Sequence, residues 1–416
     1  MPAAKWHGFL LYIGTRNNAG SKRLKASLNG GYNMDYQLSA EETKLQENVA
    51  AYCREKIAPR AKMLDGSSRD DACKNMKENI KLLAGGGCLK IGYSADALNM
   101  VEMYLAGEEI AKACPSTYLS SRASAFFCAG AIKLFGSKEQ QDKYINAIIN
   151  GEKIGAFAYS EEQAGTDIAG ITTVAKKEGN KWILNGKKDI VVNAPIADIF
   201  VVLAYSDKNA GKDKGMSMFI VDKSASGMSI GTPIETLGLR GCPIASVSMN
   251  GCAAELLGNE PGKGHEELEK LLSIGTIGIA ALCVGIGLAC MEGANAYAKT
   301  RTAFGKRIGI FQDVGFRLAD MFTYNDLGRM LALRAAWGVN QSEKNARLLS
   351  SCAKLFASEA VTKIVNWGMQ IFAGHGYISG SDIERYYRDA KFGEICEGTS
   401  EMQRAFISKY DLERMA

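Results

Sequence analysis

The chain has 416 residues, 47% hydrophobic and 23% charged, a globular composition that excludes a disordered or low-complexity protein. Its length argues for two to three domains. The net charge of +5 lies entirely in residues 1–33, where Lys5, Arg16, Lys22, Arg23 and Lys25 have no acid beside them. The rest is electrically balanced and lacks the footprint of a nucleic-acid binder.

From the N-terminus, residues 1–33 are basic and acid-free, like a transit peptide, and end in the turn-rich stretch 29–33. Met34 begins a more natural start, MDYQLSAEE. Residues 1–33 are therefore expected to be a leader or an upstream extension, disordered and outside the fold. The expected location is cytoplasmic, or the mitochondrial matrix if 1–33 is a transit peptide.

Residues 34–155 read as a helical domain. Ser39 and Glu42 make an S-x-x-E capping box. Leu45, Val49, Cys53 and Ile57 follow at helical spacing, and Pro59 ends the run. A further helix holds Glu108 and Glu109, and the turn 136–140 opens another. After Gly155 the composition changes. Residues 182–192 read as two strands around Asn185-Gly186, a hairpin signal, and 200–205 and 218–221 continue the β pattern. The stretch 156–264 is expected to be a β domain.

From residue 265 to 416 the periodicity is helical again. The uncharged run 271–291 is long enough to span a bilayer, but its glycines (Gly275, Gly278, Gly285, Gly287) favour a helix buried within a bundle, so no transmembrane segment is expected. Helices, strands, then helices, without βαβ alternation, exclude a Rossmann domain. The fold class is α+β multidomain, with an N-terminal helical domain, a β-barrel or sandwich-like middle domain and a C-terminal helical bundle. Eleven cysteines, an odd number with no CxxC spacing, indicate a reducing compartment. The three histidines, His7, His265 and His375, are far apart, so no metal site is expected.

Four separated stretches carry polar groups in suggestive order. SEEQAGTD (160–167) is a polar turn that offers backbone N–H groups and hydroxyls to a ligand. RTAFGKRIGIFQ (301–312) combines an Arg fork suited to pyrophosphate with an aromatic face and an amide. QIFAGHGY (370–377), followed by RDAK (388–391), has glycines that admit close backbone approach. ICEGTSEMQR (395–404) reads as a helix start with Ser400 and Gln403 as a capping box and Glu397 near the N-terminus. Each has a bland reading alone, as a surface turn, a basic helix end, a loop or a cap.

Together, in this order, they resemble the acyl-CoA dehydrogenases, flavoproteins that oxidise acyl-CoA thioesters to 2-enoyl-CoA. The resemblance runs from about Met34 to the C-terminus. It implies FAD as cofactor, an acyl-CoA substrate, an electron-transferring flavoprotein as acceptor and a homo-oligomer, expected to be a tetramer. It places Phe157, Ala158, Tyr159 and Ser160 at the flavin ring, with Ile190, Val191 and Val192 alongside. Arg301, Phe304, Phe311 and Gln312 would hold the FAD of a neighbouring subunit, and Gln370 and Gly374 would lie close to the dinucleotide. Thr166 would lie near CoA, and Gly398 and Thr399 would line the thioester and flavin. Glu397 would be the general base that removes the α-proton while a hydride leaves the β-carbon. Some relatives carry the base on another helix, at the position of Gly275 here, which leaves Glu397 for the task.

The chain departs from the family pattern at several points. Ile190 stands for a Trp and Val192 for a hydroxyl residue near the flavin, implying an altered potential or access. Thr276 replaces an Arg, and 84–98 lacks the usual loop, so the acyl site is expected to be unusual in shape. Cys396 replaces a Tyr and frees volume beside the α-carbon for a branched, cyclic or aryl group. Arg122 is the one charge between Pro115 and Lys133, on a helix the resemblance places at the far end of the acyl pocket. Buried, it needs an anion: a protein acid such as Glu108, or a distal carboxylate of a dicarboxylic substrate. The competing functions are a flavin oxidase or monooxygenase on the same scaffold and a non-catalytic CoA-ester-binding or assembly protein.

Overall fold

The computed structural model describes residues 37–415 apart from Asp96 and Asn180. The readings of residues 1–33 and of a start at Met34 lie outside them. Helix α1 (Ala40–Lys56) begins where the Ser39 box places it and stops before the turn holding Pro59. Helix α2 (Arg69–Gly85) is capped by Ser68. Helix α3 (Met100–Ala113) starts at Asn99, whose side chain accepts from the Val101 and Glu102 N–H groups. Helix α4 (Pro115–Arg122) begins at a proline, where the missing N–H costs nothing. It runs on through a π-helical turn, Ala123–Ala129, into Gly130–Phe135. Helix α5 (Lys138–Ile149) opens with a full Ser137/Gln140 capping box.

The strands follow: β1 (Gly155–Ala158), β2 (Val174–Glu178), β3 (Lys181–Val192), β4 (Ile199–Tyr205), β5 (Met216–Asp222), β6 (Met228–Ile230) and β7 (Ile244–Leu256). They pair in the order β1-β4-β2-β3-β7-β5, and β5 also pairs with β4, closing a small barrel with β6 on the edge of β7. Asn185-Gly186 is not a hairpin turn. β3 continues through it with a bulge between Leu184 and Asn185. Gly186 has φ +150, and a Cβ there would lie 2.7 Å from Thr173 Cα. Asn185 accepts the Gly251 N–H at 2.8 Å instead of turning the chain. The hairpin lies at Gly179 (φ +60), between β2 and β3.

The remaining helices are α6 (Gly264–Thr300), α7 (Gln312–Asn340), α8 (Ala346–Phe372), α9 (Asp382–Ala390) and α10 (Ser400–Met415). The apolar run 271–291 is the core of α6. Among the described residues α6 alone is long and apolar enough to cross a membrane, and 72% of its apolar window is buried against the other elements. Its small residues allow that packing: a Cβ on Gly285 would lie 2.6 Å from Glu108 O. Helix α4 meets the barrel through Asn193, which holds a left-handed φ of +69 at the end of β3. The Ser120 Oγ donates to Asn193 Oδ1 at 2.5 Å, and Asn193 Nδ2 donates to the carbonyls of Ser120 (2.8 Å) and Gly155 (3.0 Å). This locks α4 onto β1 and β3.

Candidate active site

A cavity, open at its mouth, lies between α3, α4, α6 and residues 88–93. Its wall is mostly apolar, with Leu89, Ile91, Met100, Met103 and Ile110, and aromatic, with Tyr93, Tyr104, Tyr118 and Phe126. The unusual stretch 84–98 thus supplies one side of it. Arg122 is the one charged residue in this wall.

Arg122 ends on Glu397, not at the far end of the cavity. The guanidinium forks onto the carboxylate, with Nη1 on Oε1 and Nη2 on Oε2 at 2.8 Å, and Nη2 also donates to Gly275 O. Both side chains are buried, 4% and 3% exposed. Burial pulls the Arg122 pKa down, but the Glu397 carboxylate more than offsets it and the guanidinium stays charged. Phe127 and Phe126 lie 4.6 and 5.3 Å from its Cζ, adding a cation–π contribution. A protein acid is therefore its partner, but not Glu108. Glu108 pairs with Arg329, whose Nε is 3.0 Å from both carboxylate oxygens.

Glu397 sits on a left-handed turn, with φ +53 followed by Gly398 at φ +87. That strain is held by two side chains. Lys354, buried in α8, donates to Gly398 O at 2.6 Å, and Gln403 Nε2 donates to the carbonyls of Glu397 and Gly398, each at 3.2 Å. The Ser400/Gln403 capping box does not form. The Thr399 hydroxyl accepts the Met402 N–H at 3.4 Å, the buried Ser400 hydroxyl has no partner among the described residues, and Gln403 is occupied by the turn. The Glu397 N–H makes no hydrogen bond among the described residues and can serve a ligand oxygen. Cys396 is half-buried, with Sγ 3.9 Å from Glu397 Oε1; burial, then the neighbouring carboxylate, pushes its thiol pKa far up, so it is a neutral filler. Thr276 turns its hydroxyl back to Ser273 O at 2.9 Å.

The two stretches expected at a flavin ring lie side by side. Lys188 Nζ donates to Tyr159 O at 3.0 Å, and the Asp189 N–H to Ser160 O at 3.2 Å. Phe157, Ala158 and Val191 are buried, Tyr159 and Ser160 half-buried, and Thr166 exposed on the following turn. Ile190 points outward, 67% exposed. Val192 packs on a buried cluster of Leu119, Leu239 and Cys242, which explains an apolar residue there. The sequence reading missed the pair of Lys188 and Glu161, 2.8 Å apart. Its signal was a lysine at an inward position of an alternating strand.

Arg301, Phe304, Gln312, Gln370 and Gly374 gather at the other end of α6. Phe304, at φ +52, is 94% exposed and meets the half-buried Phe311 edge to face at 6.2 Å. Arg301, Gln312 and Gln370 are exposed, and a Cβ on Gly374 would meet nothing within 4 Å. Tyr297 stacks on Phe372 at 4.2 Å, tying this loop to α6. An uncovered aromatic face, a guanidinium, two amides and open glycine backbone fit a flavin dinucleotide. Gly275 on α6 and Arg301 just after it are 26 residues apart, about 39 Å at the helical rise, too far for one dinucleotide to touch both places in the same chain. Among the described residues no group of acidic, Cys and His side chains could hold a metal ion.

Sequence comparison matches residues 39–152, 156–252 and 262–410 to the N-terminal, middle and C-terminal domains of acyl-CoA dehydrogenase. A probable acyl-CoA dehydrogenase of Bacillus subtilis is 35% identical, over 90% of this chain and 99% of its own. A 3-(aryl)acrylate reductase of Clostridium sporogenes is 38% identical, over 80% of this chain and 89% of its own. The butyryl-CoA dehydrogenase structure from Megasphaera elsdenii superposes with a TM-score of 0.84 at 29% identity, covering 91% of this chain and all of that one.

Proposed function

Because the chain belongs to the acyl-CoA dehydrogenase family, we propose that Glu397 is the general base of its reaction and that the cavity beside Arg122 receives a neutral acyl group. The reaction is the FAD-dependent α,β-dehydrogenation of an acyl-CoA thioester. FAD, when bound, accepts the hydride that leaves the β-carbon. The chain's residues bind and orient the ester, and Glu397 takes the α-proton on a carboxylate oxygen. Its own N–H would donate to the thioester carbonyl, where negative charge develops as the proton leaves. Residues 157–160 and 190–192 would hold the flavin ring, Thr166 the CoA, and Gly398 and Thr399 the thioester.

The observation that carries this reading is the buried, positive-φ presentation of Glu397, held by Arg122 of the apolar cavity's wall. The acyl group is neutral because Arg122 already has its anion in Glu397, which disfavours the dicarboxylic substrate. Four aromatic residues in the wall favour an aryl-bearing or cyclic chain, and an arylacrylate is the substrate named for the relative from Clostridium sporogenes. The wide spacing along α6 and the exposed Phe316, Phe322, Leu327 and Met330 on α7 support an oligomer, in which Arg301, Phe304, Phe311, Gln312, Gln370 and Gly374 serve a neighbour's FAD. We assign tetramer as its size and an electron-transferring flavoprotein as the acceptor, in keeping with the family resemblance. Eleven free cysteines support a reducing location such as the cytoplasm.

The test is anaerobic flavin reduction by the holoenzyme with 3-phenylpropanoyl-CoA, butanoyl-CoA and glutaryl-CoA. The aryl ester is expected to react fastest. Glu397→Gln should retain FAD and ester binding and lose reduction by at least about 10³-fold. Near-normal reduction by the mutant removes Glu397 from its role, and a preference for glutaryl-CoA rejects the neutral pocket.

A further inference from the structure

We propose that Arg122 is the positioning residue of Glu397: its guanidinium fork sets the plane of the carboxylate and supplies the counter-charge that a buried base requires. The inference rests on the reading of Glu397 as the base. The site is built for this contact from both sides. On α6, a Cβ at Gly278 would clash with Arg122 Nε, and one at Gly275 would sit 3.0 Å from Glu397 Oε2 and 3.2 Å from Arg122 Nη2. Two glycines three residues apart thus open a slot that the arginine fills. The Phe126 and Phe127 rings close its other side, and Gly275 O takes a further donor.

The backbone of the base is already pinned by Lys354 and Gln403 through the turn carbonyls. What remains free is the side-chain torsion, and a two-point contact removes it where a one-point contact would not. The fork does not block proton uptake. A carboxylate has about four lone-pair sites; the fork uses two, one on each oxygen, the Cys396 thiol leans on Oε1, and Oε2 keeps a site for the α-proton. Without the guanidinium, the buried carboxylate would lose its one direct ion-pair partner and keep only Lys354, whose ammonium is held on the turn carbonyls.

The experiment reads proton abstraction without hydride transfer. Holoenzyme in D2O is given 3-thiabutanoyl-CoA, whose β-position is sulfur and has no hydride to lose, and loss of its α-protons is followed by NMR. The expected order of exchange rates is wild type, then Arg122→Lys, then Arg122→Gln. Lysine restores the charge but not the fork, so it should fall at least about tenfold below wild type and stay at least about tenfold above glutamine. Arg122→Gln should lie about 10²-fold or more below wild type, the scale of a misplaced catalytic group, with the dissociation constant of the ester within about threefold.

Exchange by Arg122→Lys at the wild-type rate would show that charge alone suffices and overturn the positioning role. Equal rates for the Lys and Gln variants, or a Gln variant as fast as wild type or faster, would overturn it as well. If Arg122→Gln does not retain FAD, the comparison of wild type with Arg122→Lys decides. Glu397→Gln is the control. If it still exchanges, the base reading itself fails; if it is silent while Arg122→Gln exchanges normally, only the present inference fails.

Discussion

Glu161→Gln is expected to strand the ammonium of Lys188 inside the protein. The Lys188 side chain is wholly buried, and its Nζ has two acceptors, Glu161 Oε1 at 2.8 Å and Tyr159 O at 3.0 Å. Glu161 also accepts from the N–H and hydroxyl of Thr172, both at 2.7 Å, from those of Thr173 at 3.0 and 2.6 Å, and from Gln163 at 2.8 Å. Burial pushes its carboxyl up, but Lys188 and these donors outweigh it and hold the pKa at about 2. Burial pulls Lys188 down, to about 8, against the attraction of Glu161. An amide would remove the counter-charge and turn an NH2 group toward the threonine donors. Breaking a buried pair in this way costs about 3–5 kcal/mol, or a fall of roughly 4–6 °C in Tm if residues 40–416 unfold as one unit.

Scanning calorimetry with and without added FAD measures the loss, and the bound FAD ratio should fall with it, because Lys188 anchors Tyr159 at the proposed flavin ring. Glu161→Gln with Lys188→Met should regain most of the stability, since no charge is then left buried alone. Against acid, the Glu161 contribution is full above its unfolded value of about 4.3 and is lost as pH falls through about 2. A single mutant that melts within a degree of wild type, or a double mutant no better than the single, refutes the reasoning.

Asp389 should oppose stability at alkaline pH. Burial pushes its carboxyl up to about 7 despite the Leu239 N–H and Arg385, so its stabilising proton is fully held below about 3.9, the unfolded value, and lost as pH rises through 7; Asp389→Asn should flatten the decline in Tm between pH 5.5 and 8, and an unchanged slope rejects the assignment. Gly278→Ala should displace Arg122 and slow flavin reduction at least about tenfold, the factor for 1.4 kcal/mol, while FAD stays bound; normal reduction would mean the slot is slack. Arg301→Ala should weaken both FAD retention and the oligomer, because a charge-assisted contact to pyrophosphate would cross a subunit boundary. Sedimentation with FAD titration checks this, and normal values for both remove the cross-subunit reading.

Local signals in the sequence carried the element order well. The turn at 136–140, the Pro59 stop and the glycine-rich core of α6 all act through neighbours within a turn or two. Signals that depend on competing partners were less legible. Asn185-Gly186 has turn chemistry, yet β7 pairs with residues on both sides of it and carries β3 through with a bulge. Ser400 has cap chemistry, yet Gln403 is claimed by the carbonyls of the Glu397 turn. The Arg122–Glu397 contact spans 275 positions. A lone charge in an apolar helix declares that it needs an anion, but not which one. Gly275 and Gly278 record the missing half of that message, as empty volume of the right depth on a different helix.

The length of α6 bears on genetics as well as on structure. One chain carries the proposed base beside Gly275 of this helix and the proposed dinucleotide grip about 39 Å away, so each active site would be composed of halves from two chains. Two inactive variants, one altered at Glu397 and the other at Arg301, would then be defective in different halves. Co-expressed, they would form mixed assemblies in which the second variant's intact base is served by the first variant's intact arginine, giving a working site in each such pair. Activity recovered from two dead parents would be the signature of that division of labour. It would also mean that the severity of a mutation in this protein depends on which other allele shares the cell.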